Sequence, residues 1–227
     1  MGVVLAVDTA GPVIGVAAVE DGLLLRSWSE RVVRGAERAL HPAISEVLSG
    51  RPADAIAVSI GPGAFTGLRV GVAAALGLAR AWGCPVLPTS SLAARAALIS
   101  EQPHVLALLD ARKGKVYAGI FDTTSGAPVA LCEERDQLPS DAVPPGPGVA
   151  IGEGVSVVEA LLASQGWEVR DDPSQSPAAA LALWGFARWS SGEGIAAHEV
   201  RLRYLRPPDA KRPKLQGLIR SPNEESS

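Results

Sequence analysis

The residues Val3-Val4-Leu5-Ala6-Val7-Asp8-Thr9-Ala10-Gly11-Pro12 decide the fold. The apolar, β-branched run reads as a strand, and Gly11-Pro12 turns the chain. Val13 to Val19 continues as a second strand, Asp21-Gly22 as a tight hairpin turn, and Leu23 to Ser29 as a third strand. The period then changes. Leu40, Ile44, Val47 and Leu48 share one face of a helix, which Gly50 and Pro52 end. Ala55 to Ile60 is a buried strand, and a second helix runs from about Gly67 to Trp82, stopped by Gly83 and Pro85. Val86-Leu87-Pro88 is a short strand, and Ser90 or Ser91 caps a helix through about Ser100. The predicted order is β-β-β-α-β-α-β-α.

The plan then restarts. Val105 to Leu109 is a strand ending in Asp110, Lys113-Gly114 is a turn, and Val116 to Phe121 is the next strand. Val7 through Glu20 maps onto Leu109 through Asp122 at a constant offset of 102. Identity is low, but the shared order of Asp, turn and strand predicts an internal repeat. Val129 to Cys132 reads as a third strand, 139–148 as a proline-rich loop, 155–165 as a helix and Trp167 to Val169 as a strand. An amphipathic helix follows near 178–191. The expected division is a first lobe at 1–100, a second, reduced lobe at 101–192 whose last helix packs back on the first, and a basic tail at 193–227.

Composition excludes several classes. The chain has 227 residues, 47% of them hydrophobic, 20% charged, and a net charge of −3. A chain of this length buries roughly 70% of its unfolded surface, so it folds without a disulfide or metal. No run of about 18 apolar residues spans a membrane, and the first residues lack the pattern of a signal peptide. Cys84 and Cys132 read as two reduced thiols, in keeping with a cytoplasmic protein. The charge is unevenly placed. Residues 199–220 carry Arg201, Arg203, Arg206, Lys211, Arg212, Lys214 and Arg220 against Glu199 and Asp209, so this stretch is +5 and the remainder −8.

The richest motif is Gly61-Pro62-Gly63-Ala64-Phe65-Thr66-Gly67-Leu68-Arg69-Val70-Gly71, between a strand and a helix. It reads either as an anion or nucleotide loop or as a turn packed tightly under a neighbouring helix. It lacks the Gly-Lys-Ser/Thr ending of a Walker loop and the spacing of a dinucleotide fingerprint. Gly67, Gly71, Ala74, Leu78 and Ala81 line one face of the following helix, flanked by Ala75 and Gly77. Each interior Gly costs about 1 kcal/mol relative to Ala, so a close-packed helix, internal near 36–48 or from a partner chain, is expected against it.

Asp8 and Thr9 end a strand beside a turn, the place where an actin-like phosphotransferase holds magnesium and grips phosphate; capping the turn is the plainer reading. Asp110 is a candidate partner across a cleft, though crowded by Arg112, Lys113 and Lys115. Gly152-Glu153-Gly154 is a meagre purine signal. His41, His104 and His198 show no metal-ligand spacing, and no G-x-S-x-G elbow occurs, so a metal site and a peptidase are both disfavoured.

Asp8-Thr9, the Gly61–Gly71 string, Leu109 to Tyr117 and Tyr204-Leu205-Arg206 together resemble the TsaB family. The resemblance is clear over most of 1–122 and returns at 204–206. It implies an actin-like, Hsp70-like fold of two ribonuclease H-like βββαβα lobes. It implies a non-catalytic subunit that pairs with the threonylcarbamoyltransferase TsaD, joined by the ATPase TsaE. That assembly makes threonylcarbamoyladenosine beside the anticodon of tRNAs reading ANN codons. Interface positions would be Leu40, Ile44, Gly67, Arg69, Val70, Gly71, Ala74 and Leu78, a surface also expected to serve self-association. Contact with tRNA would come through the complex. A vestigial phosphate loop would comprise Asp8, Thr9, Gly61, Gly63, Thr66 and Asp110. Ala10 stands where the family often has Ser, and Gly35-Ala36 where it often has His-Ser. These departures weaken ATP binding, so no cofactor is expected for the chain alone. The alternative is an active actin-like Mg-ATP phosphotransferase or ATPase using Asp8 and Asp110.

Overall fold

A computed structural model describes residues 2–32, 35–170, 172 and 175–206. The first half builds a sheet from β1 (Val3–Asp8), β2 (Val13–Glu20), β3 (Leu23–Arg31), β4 (Ala55–Ser59) and β5 (Val86–Thr89), in the order β3-β2-β1-β4-β5. The hairpin strands β1–β2–β3 pair antiparallel, whereas β4 and β5 join in parallel through helical crossovers. All six residues of β1 are buried, as expected of a central strand covered on both faces. Helices α1 (Ala36–Leu48) and α2 (Phe65–Trp82) cover one face, where Leu40, Ile44, Val47, Val72 and Ala75 meet Leu5, Val7, Ile56 and Val58. A short α3 (Ser91–Ala96) follows, capped by the Ser90 hydroxyl, which accepts from the Leu92 and Ala93 amides.

The second half repeats the order. β6 (Val105–Arg112), β7 (Lys115–Asp122), β8 (Val129–Ala130), β9 (Arg135–Gln137), β10 (Gly148–Ile151) and β11 (Trp167–Val169) form a sheet ordered β11-β10-β6-β7-β8, with β9 beside β7. With β9 set aside as an extra strand beside β7, the second sheet read from β8 repeats the order of the first: a third, second and first strand followed by two parallel crossover strands. This is the duplicated ribonuclease H-like plan of actin-like proteins. β1 and β6, and β2 and β7, are each separated by the offset of 102 seen in the sequence. Helices α4 (Pro139–Ala142) and α5 (Val155–Ser164) lie on the second sheet, and α6 (Ala178–Ser190) closes the series.

The third helix of each half is exchanged. α3 packs on β6 and β7, with Leu92 and Ala96 against Val105, Ala107 and Leu109. α6 packs on the first sheet, with Leu181 and Ala182 against Val4, Ala6, Ala17, Val19, Ala55 and Ala57. Gly185 makes that close seating achievable, since a Cβ there would stand 2.7 Å from the Ala57 methyl.

The structure differs from the sequence reading at several element boundaries and in two added elements. α2 begins at Phe65 rather than Gly67, and α3 ends at Ala96 rather than Ser100. The proline-rich stretch contains α4, whose Pro139 occupies a first-turn position where its missing N–H costs nothing. β9 carried no apolar alternation to announce it. Past α6, Ile195 pairs with Val86, a 3₁₀ turn spans Ala197–Glu199, and the chain then crosses from the first lobe to the second. The part of the basic tail from residue 207 onward lies outside the described residues.

Candidate functional site

A cleft of about 900 Å³ opens between the lobes at the carboxyl ends of β1 and β6, bordered by Thr9, Phe65, Asp110, Tyr117, Glu153 and Tyr204. Ligands of open α/β sheets bind outside such strand ends.

At the floor of the cleft the Gly61–Gly71 string is committed to internal packing. Gly61 has φ +119°, and a Cβ there would strike the Arg203 carbonyl. A Cβ on Gly63 would strike the Ala10 carbonyl. The Gly61 N–H donates to Ser91 Oγ at 3.1 Å, and the Ala64 N–H donates to the Ala10 carbonyl at 2.8 Å. These donors are therefore not offered to a phosphate. Thr9 Oγ1 donates to the Gly67 carbonyl at 2.7 Å, and a Cβ on Gly71 would collide with the same hydroxyl. The small residues at 67 and 71 thus seat α2 on the end of β1. Neither the α1 helix nor a partner chain is what they admit.

The two carboxylates expected to face each other are separated in role. Asp8 is fully buried, with Oδ2 3.6 Å from Arg95 Nη2. Neither of its oxygens makes a well-formed hydrogen bond, although the Ser59 hydroxyl lies beside it. Burial pushes its pKa up, against the opposing Arg95 charge. Arg95 in turn is clamped by Glu153, with Nε to Oε2 and Nη2 to Oε1 both at 2.7 Å, and Nη1 donates to the Ser91 carbonyl at 2.9 Å. Burial would lower Arg95, but the Glu153 and Asp8 charges more than offset this and its pKa is raised. Burial likewise pushes Glu153 up, and Arg95 overrides it, holding the carboxyl below its usual range. Asp110 sits apart at the rim, accepting from the Arg112 N–H at 2.7 Å and pairing with the Arg112 guanidinium at 3.3 Å.

A magnesium–nucleotide does not fit these residues. The guanidinium stands beside the carboxylate that would hold the metal. A Cβ at Gly11 would run into the Glu153 carboxylate, so an anion of the protein itself already occupies the first turn. Among the described residues no cluster of three or more His, Cys, Asp or Glu could hold a metal ion. The Asp8–Asp110 phosphotransferase pair is therefore not assembled.

The expected interface positions also divide. Leu40 and Ile44 are buried in the core of their own lobe, and Gly71 is closed off by Thr9. Gly67 is half-buried against Thr9. Val70, Ala74 and Leu78 are half-buried, packed against the first core. Arg69 is exposed, and so are Thr66, Ala73, Gly77, Arg80 and Ala81. Nothing among the described residues lies within 4 Å of where a Gly77 Cβ would be. The open face of α2 is thus rotated from the stripe read in the sequence and shares Ala81 with it. No helix among the described residues is long and apolar enough to cross a membrane.

The functional-looking residues that sequence reasoning missed are Arg95, Glu153 as its partner, and Glu134. Glu134 is buried, accepts from Ser90 Oγ at 2.5 Å and from Arg203 Nη1 at 2.8 Å, and has its pKa pushed up by burial. A charge inside the apolar run Leu92 to Ala96, and glycines flanking Glu153, were the available signals.

A family model described as "TsaD: tRNA N6-adenosine threonylcarbamoyltransferase" matches residues 24–144. The tRNA threonylcarbamoyladenosine biosynthesis protein TsaB of Escherichia coli (strain K12) is 30% identical over 223 residues, covering 89% of this chain and 94% of that protein. The protein of the same name from Bacillus subtilis (strain 168) is 30% identical over 144 residues, 61% of this chain, and the match spans 63% of that relative's length. The solved structure of YeaZ from Pseudomonas aeruginosa superposes with a TM-score of 0.74 at 30% identity, covering 88% of this chain and 97% of that one.

Proposed function

This chain belongs to the TsaB family, and on that premise we propose that it serves tRNA threonylcarbamoyladenosine biosynthesis as a subunit without chemistry of its own. In this reading it pairs with the threonylcarbamoyltransferase TsaD, and the ATPase TsaE joins the pair. The modification is placed next to the anticodon of tRNAs reading ANN codons, and tRNA is reached through the assembly.

The observation that carries the reading is the outer face of α2. Arg69, Ala73, Gly77 and Ala81 are exposed at helical spacing, and Gly77 faces open space. An exposed interior Gly costs about 1 kcal/mol of helix stability that nothing among the described residues offsets. Small side chains on such a face let a second helix approach closely. The exposed side of α1, with Glu37, Arg38, His41 and Ser45, extends the surface. The same surface suits self-association when the partner is absent. The Arg95–Glu153 pair, filling the cleft floor, supports a role without nucleotide turnover.

The test is co-purification with TsaD and TsaE, followed by a tRNA modification assay with and without this chain. Stable association and modification that depends on the chain are expected. A purified chain that turns over Mg-ATP alone, with activity lost in Asp8→Ala, would overturn the reading.

A further inference from the structure

We propose that Arg69 is the charged anchor of the α2 face, held ready by Phe65 and Tyr204 to take a carboxylate from the protein partner. The inference rests on the reading of α2 as the partner surface and names the chemistry it would recognise.

Arg69 is exposed, yet its guanidinium is fixed on two sides. Its Cζ lies 3.8 Å from the centroid of the Phe65 ring. Its Nε donates to Tyr204 Oη at 3.3 Å, and the Tyr204 ring leans on Phe65 with centroids 5.2 Å apart. Tyr204 is itself held by the chain on either side. Arg203 donates to the Ile60 carbonyl through its N–H and to Glu134 through its guanidinium, both at 2.8 Å. Arg206 makes a two-pronged pair with Asp136, both contacts 2.8 Å, and donates to the Ala111 carbonyl at 2.9 Å. A strap running between the lobes thus delivers one aromatic ring to the first turns of α2.

Three features point to a ligand for this cation. First, no carboxylate among the described residues lies within ion-pair distance of Arg69, whereas Arg51, Arg95, Arg112 and Arg188 each face one. Second, a free arginine side chain is rich in rotamer entropy, and stacking gives that up before association. Third, the donors not turned to Tyr204 keep the fork that matches a carboxylate.

The surroundings favour a protein over a nucleic acid. Val70, Ala73, Ala74 and Gly77 flank Arg69 along the helix, and the next cation on the face, Arg80, is eleven residues on, about 16 Å along the axis. One stacked arginine beside aromatic and small apolar residues is the composition of a protein–protein hot spot. Binding to a phosphate backbone instead gains affinity from several cations acting together.

The test measures the affinity of the full chain for TsaD, at low and raised salt, for wild type, Arg69→Glu, Arg69→Gln, Arg69→Lys, Tyr204→Ala and Tyr204→Phe. Arg69→Glu is expected to weaken association by about tenfold or more, with Arg69→Lys intermediate. Tyr204→Ala should weaken it less, and Tyr204→Phe least, because the ring contact survives. The salt dependence seen in wild type should flatten in Arg69→Gln, a change that a purely structural role would not produce. Unaltered melting of the isolated variants checks that the fold is intact. Association intact in Arg69→Glu would overturn this inference alone. So would a loss confined to self-association or to tRNA binding by the assembled complex. Failure of the wild type to associate would overturn the partner reading, and the anchor with it.

Discussion

Replacing Arg95 with methionine removes the guanidinium between Glu153 and Asp8 while keeping an unbranched side chain. Three hydrogen bonds go with it, two of 2.7 Å to Glu153 and one of 2.9 Å to the Ser91 carbonyl. Asp8 loses the counter-charge at 3.6 Å. Side-chain exposure is 0% for Asp8 and 15% for Glu153, so water does not readily take the place of the lost donors. Removing one partner of a buried pair costs about 3–5 kcal/mol. That is a large share of a total stability of about 5–15 kcal/mol. At about 2–4 °C per kcal/mol for a chain of this size, the melting temperature should fall by about 6–20 °C. Urea unfolding followed by tryptophan fluorescence reads the loss, with five tryptophans as reporters. The pH dependence supplies a second check. Arg95 holds the Glu153 carboxyl below its usual range, overriding the upward push of burial. A depressed carboxylate stabilises the fold above its unfolded pKa of about 4.3 and loses that increment as pH falls through the folded value. The wild type therefore loses stability in acid that Arg95→Met never had, and the two curves converge there. A variant within about 1 kcal/mol of wild type at neutral pH would refute the reasoning, because the pair would then be screened like a surface salt bridge.

Asp8→Asn tests the other carboxylate. Burial raises the Asp8 pKa despite Arg95, so what Asp8 adds to stability is present below its unfolded value and is lost as pH rises through the folded one. Asn should match wild type in acid and gain on it toward neutral pH in thermal melts; a net loss at neutral pH would sink the argument. The glycines of α2 should behave oppositely. Gly71→Ala meets Thr9 Oγ1 and should cost about 1–3 kcal/mol, whereas Gly77→Ala meets nothing and should gain about 1 kcal/mol. Equal effects in denaturant melts would mean the faces of α2 are assigned wrongly. A large residue at Gly71 would consequently report on folding rather than on an interface.

The first sheet could be read because its strands are apolar runs bounded by turn residues. The repeat could be read because Asp8 and Asp110 hold equivalent places in corresponding strands, although β6 runs on two residues past Asp110. The second half blurs after β7, where β8 has two residues and β11 three, too short for alternation to show. Periodicity placed α1 and α2 but misjudged the open side of α2. A row of Gly and Ala is equally compatible with a buried and an exposed face, and what decides is Thr9, far away in sequence. The cleft floor was hidden for the same reason. Arg95 and Glu153 lie 58 residues apart, and no local pattern pairs them. Glycine flanks around Glu153 did signal a close approach; the group approached is the chain's own guanidinium.

The exchange of α3 and α6 between the lobes has a consequence for how the chain comes off the ribosome. Until residues 178–190 have been made, the face of the first sheet bearing Val4, Ala6, Ala17 and Val19 has no cover. The N-terminal hundred residues cannot finish folding first and wait, as an ordinary leading domain does. A chain cut near residue 102 gives two fragments, each holding a helix that belongs on the other's sheet. Such fragments are expected to complement each other rather than to stand alone.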